Sequence, residues 1–221
     1  IEKGKKIAGH LLEAGETDIE FDSGVFSVAG TDKQINIVEV AKSSYTLVMW
    51  PPHLGMGLEG IGTFNPGMGN FPNGCQIAEV EIDPETGKVE LVNLVIVGDV
   101  GTVINPLLLE GQIHGGITQG VGQATLENIV YEGNSGQLLS ASFQDYTMPR
   151  ADDLPLYDVS SHPVPTTTNP LGVKGAGETG TVGAPAAVLN AIVNALSSVG
   201  VKDIEMPATS EKVWQALQNA A

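Results

Sequence analysis

Five glycines interrupt one amphipathic pattern between Pro106 and Glu127, and this pattern constrains the fold more than any other stretch. Leu109, Ile113, Ile117 and Val121 recur at helical spacing, which predicts a helix opening at Pro106 and running to about Glu127. Gly111, Gly115, Gly116, Gly120 and Gly122 lie inside it. Each interior glycine costs a helix about 1 kcal/mol relative to alanine. The segment therefore needs another backbone, or a ligand, at close approach. On the adjoining face, positions 112, 116, 119 and 123 read Gln, Gly, Gln, Gln. A row of carboxamides offers donors and acceptors on an uncharged surface. That suits a heterocycle with alternating polar edges; a solvated polar face would read the same way.

A second glycine-rich stretch carries the chemistry. In Leu171–Pro185, LGVKGAGETGTVGAP, a single carboxylate, Glu178, sits among Gly172, Gly175, Gly177, Gly180 and Gly183. Little side chain shields that backbone, and an apolar helix is expected from Pro185 to Leu196. A carboxylate partly desolvated in such a loop has its pKa raised, which suits a general base. It could instead cap the following helix. Gly175-Ala176-Gly177-Glu178-Thr179-Gly180 also satisfies G-x-G-x-x-G. The preceding HPVPTTTNP is loop rather than buried strand, and the Glu178 charge would oppose a pyrophosphate, so a dinucleotide site is disfavoured. Lys174 could neutralise a phosphate, anchor a carbonyl or stand in solvent. His114 has no acidic or cysteine partner at ligand spacing and reads as structural. Tyr146 reads as a packing residue with a bonded hydroxyl. Asp145, Arg150, Asp152 and Asp153 read as a surface ion-pair cluster.

The chain has 221 residues, enough for one large domain or two small ones, with a division expected near 105/106. A net charge of −16 argues against nucleic acid and anionic membrane surfaces. No run is apolar enough to suggest a membrane span. The one cysteine, Cys75, leaves no cluster for zinc or iron–sulfur ligation and reads as a small buried thiol. The absence of an initiating Met suggests a piece of a longer polypeptide, or a processed one. The pattern predicts an N-terminal helix through Leu12, a hairpin turning at Asp22-Ser23-Gly24 and a short helix over Ile37–Ser43. A long irregular Gly/Pro stretch over 51–75 follows, then strands at Gln76–Asp83 and Val89–Val100. Two more strands should flank 132–136, another should cover Leu154–Ser160, and a last helix should span Ser210–Gln218. The class is α+β, antiparallel hairpins packed on a few helices.

The segments FPNGCQIAEVEIDPETG, DVGTVINP, GQIHGGITQGVGQA, QDYTMPRADDLP and GVKGAGETGTVGAPAAVLNAI follow one another in a known order. Over nearly the whole chain, from about residue 10, this resembles the molybdopterin-binding large subunit of the molybdenum hydroxylases. That family comprises xanthine dehydrogenase, aldehyde oxidase and aerobic carbon monoxide dehydrogenase. The resemblance is to its C-terminal portion; the family's N-terminal cofactor motifs do not occur here, so the site in this chain alone is incomplete. The resemblance implies oxidation of an aldehyde, purine or other N-heterocycle, or carbon monoxide, with water as the oxygen source. Glu178 is then the general base. Gln119-Gly120-Val121-Gly122 matches the family's Q-G-x-G element, a cofactor-binding element whose glutamine side chain, Gln119, is implied to lie near the molybdenum ligands. Gln112, His114, Gly115 and Gly116 face the pterin or its nucleotide tail, and Lys174, Gly175, Ala176 and Gly177 line the cofactor. The metal is held by the pterin dithiolene, so no protein ligand is required.

Further implications concern the assembly. The cofactor is molybdopterin, in its cytosine dinucleotide form, with molybdenum. FAD and 2Fe-2S clusters sit on partner subunits or domains, in a cytoplasmic dimer of heterotrimers. MPRADDLP leans toward the carbon monoxide dehydrogenase-like and bacterial aldehyde or N-heterocycle branch. A non-catalytic scaffold domain of such a complex is the alternative.

Overall fold

The computed structural model describes residues 1–46 and 50–220, which divide into two compact units, Ile1–Asn65 and Pro66–Ala221. In the first, helix α1 (Glu2–Leu12) and helix α2 (Ile37–Ser43) pack with an antiparallel sheet of β1 (Ile19–Asp22), β2 (Val25–Val28) and β3 (Gln34–Asn36). The β1–β2 turn has positive φ at both Ser23 and Gly24, the geometry a two-residue hairpin needs, as the sequence predicts. Strand β3 was not anticipated: TDKQIN has too little apolar alternation to announce itself. Asn36 then caps α2, its Oδ1 accepting from Glu39 N–H at 2.9 Å. Ile7, Ala8, Ile19, Phe26 and Val40 form the core of this unit.

The second unit is built on strands β4 (Asn73–Ile82), β5 (Val89–Asp99) and β6 (Asp158–Ser161), in that order. β4 and β5 are antiparallel with an irregularity at Glu79/Val80, whereas β6 runs parallel to β5, so the sheet is not purely of hairpins. The β4–β5 turn is closed by Asp83, which accepts from Glu85 N–H at 2.9 Å and Thr86 Oγ1 at 2.6 Å. Leu91, Leu94 and Ile96 share one core with helices α3 (Pro106–Thr125), α4 (Thr179–Leu196) and α5 (Ser210–Ala220). Because the β4–β5 hairpin belongs to this core, the chain divides at 65/66 and not near 105/106.

Two further expectations change. The 132–136 turn is flanked by a single bridge, Tyr131 to Leu138, rather than by two strands. The Glu132 carboxylate takes up the Asn134 and Ser135 amides and the Ser135 hydroxyl, completing the turn locally. In 154–160 only the end pairs, as β6, while Tyr157 is buried with its hydroxyl 3.3 Å from Thr118 Oγ1.

Helix α4 starts at Thr179, six residues before Pro185, so the proline lies inside it. With Val199 as its end, this segment is long and apolar enough to cross a membrane, which the sequence reading missed. Its apolarity has a local use: Ala184, Val188, Ile192 and Leu196 form a stripe buried in the core. The α3–α4 crossing explains three of the glycines. A Cβ on Gly116 would lie 3.1 Å from Gly180 Cα, and one on Gly120 would lie 2.7 Å from Ala184 Cβ. A Cβ on Gly180 would fall 2.4 Å from the Ile113 carbonyl oxygen. Gly111 and Gly115 differ, since a Cβ on either meets nothing. Gly120→Ala is therefore expected to lower stability by about 1–3 kcal/mol through overpacking. Gly111→Ala should raise it by up to about 1 kcal/mol. Thermal unfolding of the two variants checks this; equal effects would contradict the crossing.

Candidate active site

The start of α4 and the open face of α3 meet at one place. Glu178 occupies the N-cap position, yet its side chain makes no cap hydrogen bond; its main-chain carbonyl accepts from Thr181 and Val182 N–H at 3.0 and 3.1 Å. The carboxylate is exposed and has no hydrogen-bond partner among the described residues. The capping alternative is thus not realised. The desolvation expected from the loop is not supplied by this chain either. What the chain does supply is the N-terminus of an 18-residue helix, whose partial positive charge favours an anion there.

The carboxamides of α3 reach the same end. Gln112 Nε2 donates to the Gly177 carbonyl at 2.7 Å, fixing the residue before Glu178. Gln119 Oε1 accepts a long hydrogen bond, 3.4 Å, from Thr181 Oγ1, which also donates to the Gly116 carbonyl at 3.0 Å. Gln112, Gly115 and Gln119 are exposed on one side of α3. Gly116 and Gly120 are buried beneath α4, so their bare backbone serves the helix crossing rather than an open ligand face. Half-buried His114 packs against Tyr157, ring centroids 5.4 Å apart, in keeping with its structural reading.

Lys174 is neither solvent-exposed nor a free cation. Its ammonium is paired with Asp99, the side chains being 11% and 13% exposed. Asp99 Oδ1 also accepts from Gly101 and Val164 N–H, each at 2.9 Å. With Lys174, these donors hold the Asp99 carboxyl well below the usual carboxylate range. The sequence reading passed over Asp99, although it opens the DVGTVINP segment. It also passed over Gln76, whose Nε2 donates to the Thr179 and Gly180 carbonyls at 3.3 and 2.9 Å. Gln76 Oε1 and Thr179 Oγ1 are buried with no partner among the described residues.

Elsewhere, further side chains depart from or complete their sequence readings. Cys75 is exposed on β4, since outward positions alternate with core-facing ones there. The 145–153 acidic group forms turns rather than ion pairs: Asp145 accepts from Ser142 Oγ, and Asp153 from Arg150 N–H. Tyr146 does have a bonded hydroxyl, donated to Glu127, and that hydrogen bond raises the phenol pKa. No group of three or more metal-ligating side chains occurs among the described residues.

This geometry lies within a recognisable domain. Residues 1–155 match the molybdopterin cofactor-binding domain. The chain belongs to that family. It is similar to the nicotine 6-hydroxylase large subunit of Paenarthrobacter nicotinovorans, 40% identical over 95% of this chain and 26% of that one. Among solved structures, the Cu,Mo-CO dehydrogenase superposes with a TM-score of 0.87 at 33% identity, over 99% of this chain and 27% of the other. Quinoline 2-oxidoreductase from Pseudomonas putida 86 gives 0.83 at 36% identity, over 98% and 28%. The chain therefore spans about a quarter of the length of these relatives. Matches of this coverage extend through the Glu178 loop, beyond the residues of the family match.

The open surface fits a molybdopterin. Gly111 and Gly115 leave room along α3, exposed Gln112 and Gln119 carry amide donors and acceptors of the kind a pterin edge pairs with, and Glu178 is unengaged. A pH consequence follows from Asp99. Its carboxyl has a lowered pKa when folded, so its contribution is present above the unfolded value of about 3.9 and lost as pH falls toward the folded one. Melting temperatures against pH for native chain and Asp99→Asn should differ at pH 7 and converge progressively below about pH 4. A gap independent of pH would contradict the assignment.

Proposed function

We propose that the chain is the C-terminal cofactor-binding part of the large subunit of a molybdenum hydroxylase, with Glu178 as its general base. The observation that carries this reading is the carboxylate itself. It stands at a helix N-terminus whose neighbouring residues, Gly177 and Thr181, bond to two carboxamides, and it has no structural duty to perform. A base must be anionic and unengaged before it can take a proton, and the N-terminal end of α4 favours that state. Covering this exposed site with the rest of a larger subunit would remove water from around the carboxylate. Leu107, Leu108, Phe143 and Leu156 stand exposed as apolar surface for such an enclosure.

The cofactor is molybdopterin, in the cytosine dinucleotide form, and when bound it supplies the redox-active metal that accepts the substrate's electrons. Gln112 and Gln119 present their amides to its polar edges, Gly115 lets it approach α3, and the main chain of 174–177 lines its other side. Gly116, Gly120 and His114 act from behind, by setting the position of α3. Glu178 takes up the proton released as the oxygen nucleophile, derived from water, adds to substrate carbon. 2Fe-2S clusters and FAD on partner subunits would supply the onward electron transfer, in a cytoplasmic dimer of heterotrimers. The substrate class is an aromatic N-heterocycle, supported by the named substrates of two relatives, nicotine and quinoline.

In the full assembly, Glu178→Gln should retain molybdenum and pterin while kcat falls by about 10²–10⁴-fold, the scale of a lost general base. Turnover is measured on N-heterocycles, with purines, aldehydes and carbon monoxide alongside. Full activity in the variant, or a native assembly without molybdenum, would leave only a scaffold role.

A further inference from the structure

The loop that carries Glu178 is gripped at both ends. At its far end Gln112 holds the Gly177 carbonyl at 2.7 Å. At its near end, Lys174 N–H donates to the Val100 carbonyl at 2.9 Å, Gly101 and Val173 form an antiparallel bridge, and Thr102 N–H donates to the Gly172 carbonyl at 2.9 Å. Asn70 and Asn169 both donate side-chain amides to the Val173 carbonyl, at 3.0 and 2.8 Å. The Lys174, Thr102 and Gly101–Val173 main-chain bonds tie the loop to the end of β5, Asn70 ties it to the segment before β4, and Asn169 closes it on itself. Only the Lys174 side chain adds a charged tether, and its partner is Asp99. Between Lys174 and Glu178 there are three residues, two of them glycines, and Gly175 and Gly177 are exposed. Such a span has little stiffness of its own, so its anchors decide where Glu178 stands.

We propose that Asp99 is a positioning residue for Glu178, acting as a three-way junction that fixes the start of the catalytic loop. One carboxylate gathers the Gly101 amide after β5, the Val164 amide from the segment after β6, and the Lys174 ammonium. Removing either charge leaves the other largely shielded from water and unpaired, which strongly disfavours the native arrangement. The close approach is built in: Gly101 has φ +66°, and a Cβ there would lie 2.1 Å from the Gly172 carbonyl oxygen, so glycine is needed at the junction. This inference rests on the reading of Glu178 as base. It adds that the base is placed through a charge pair that does not touch substrate.

The test uses the full assembly with Asp99→Asn, Lys174→Gln and the double substitution. Molybdenum content, kcat, KM and amide hydrogen exchange over 172–178 are measured for each. Each single variant should keep its molybdenum and a KM within about twofold, while kcat falls about 10–100-fold, the scale of a small misplacement of a catalytic group. Exchange over 172–178 should rise in both, and the double variant should be no worse than the poorer single one. Should Asp99→Asn not assemble, Lys174→Gln decides the matter, since it leaves both amide bonds of Asp99 in place. Unchanged kcat, unchanged exchange, or a loss explained by missing molybdenum or a raised KM overturns the proposal. Glu178→Gln run alongside separates the two readings. Full activity there removes the base itself, whereas normal kcat in the Asp99 and Lys174 variants beside an impaired Glu178→Gln removes only its positioning.

Discussion

The crossing of α3 on α4 is the contact on which the second unit depends. Gly116, Gly120 and Gly180 let two backbones touch, and the buried stripe of Ile113, Ile117 and Val121 faces that of Ala184, Val188 and Ile192 within one core. Without those glycines the helices would stand further apart and the stripes would not interlock at native packing density. The crossing also sets the site. It brings Thr181, in the first turn of α4, within hydrogen-bonding distance of Gly116 and Gln119, and so places Glu178 at the edge of the open α3 face. Pro185 fits the same logic. Its missing N–H leaves the Thr181 carbonyl without its helical donor, and a Cβ on Gly120 would lie 3.2 Å from that carbonyl oxygen.

Around that crossing, polar side chains hold the loops that the glycines leave loose. Gln76 from β4 donates to the first carbonyls of α4, Gln112 from α3 secures Gly177, and Asp99 from β5 secures Lys174. Strand, helix and loop thus converge on one exposed carboxylate. The fold contributes position and a helix terminus; a buried environment for the carboxylate is not among its contributions.

Much of this was readable from the sequence. The Ser23-Gly24 turn, α1, α2, the β4–β5 hairpin and α3 follow from turn chemistry and periodicity, and the family order of five segments pointed to molybdopterin. The misses have physical causes. Strand β3 and the parallel β6 are short and mostly exposed, so their periodicity is weak, and β6 is defined by its partner rather than by its own residues. Pro185 read as a helix start because a proline usually sits in the first turn, and the glycines before it masked six residues of α4. The glycines of α3 were legible as a demand for close approach, but their division between helix partner and open face required three dimensions. Lys174 and Asp99 are 75 residues apart, and no local pattern announces that pairing.

The most direct measurement is an experimental structure of the complete enzyme with its cofactor bound. The expected result places the pterin along Gly111, Gln112, Gly115 and Gln119, with the Glu178 carboxylate within hydrogen-bonding distance of the position where substrate reacts. A structure in which that face of α3 is covered by protein, or in which Glu178 turns away from the cofactor, would contradict the account.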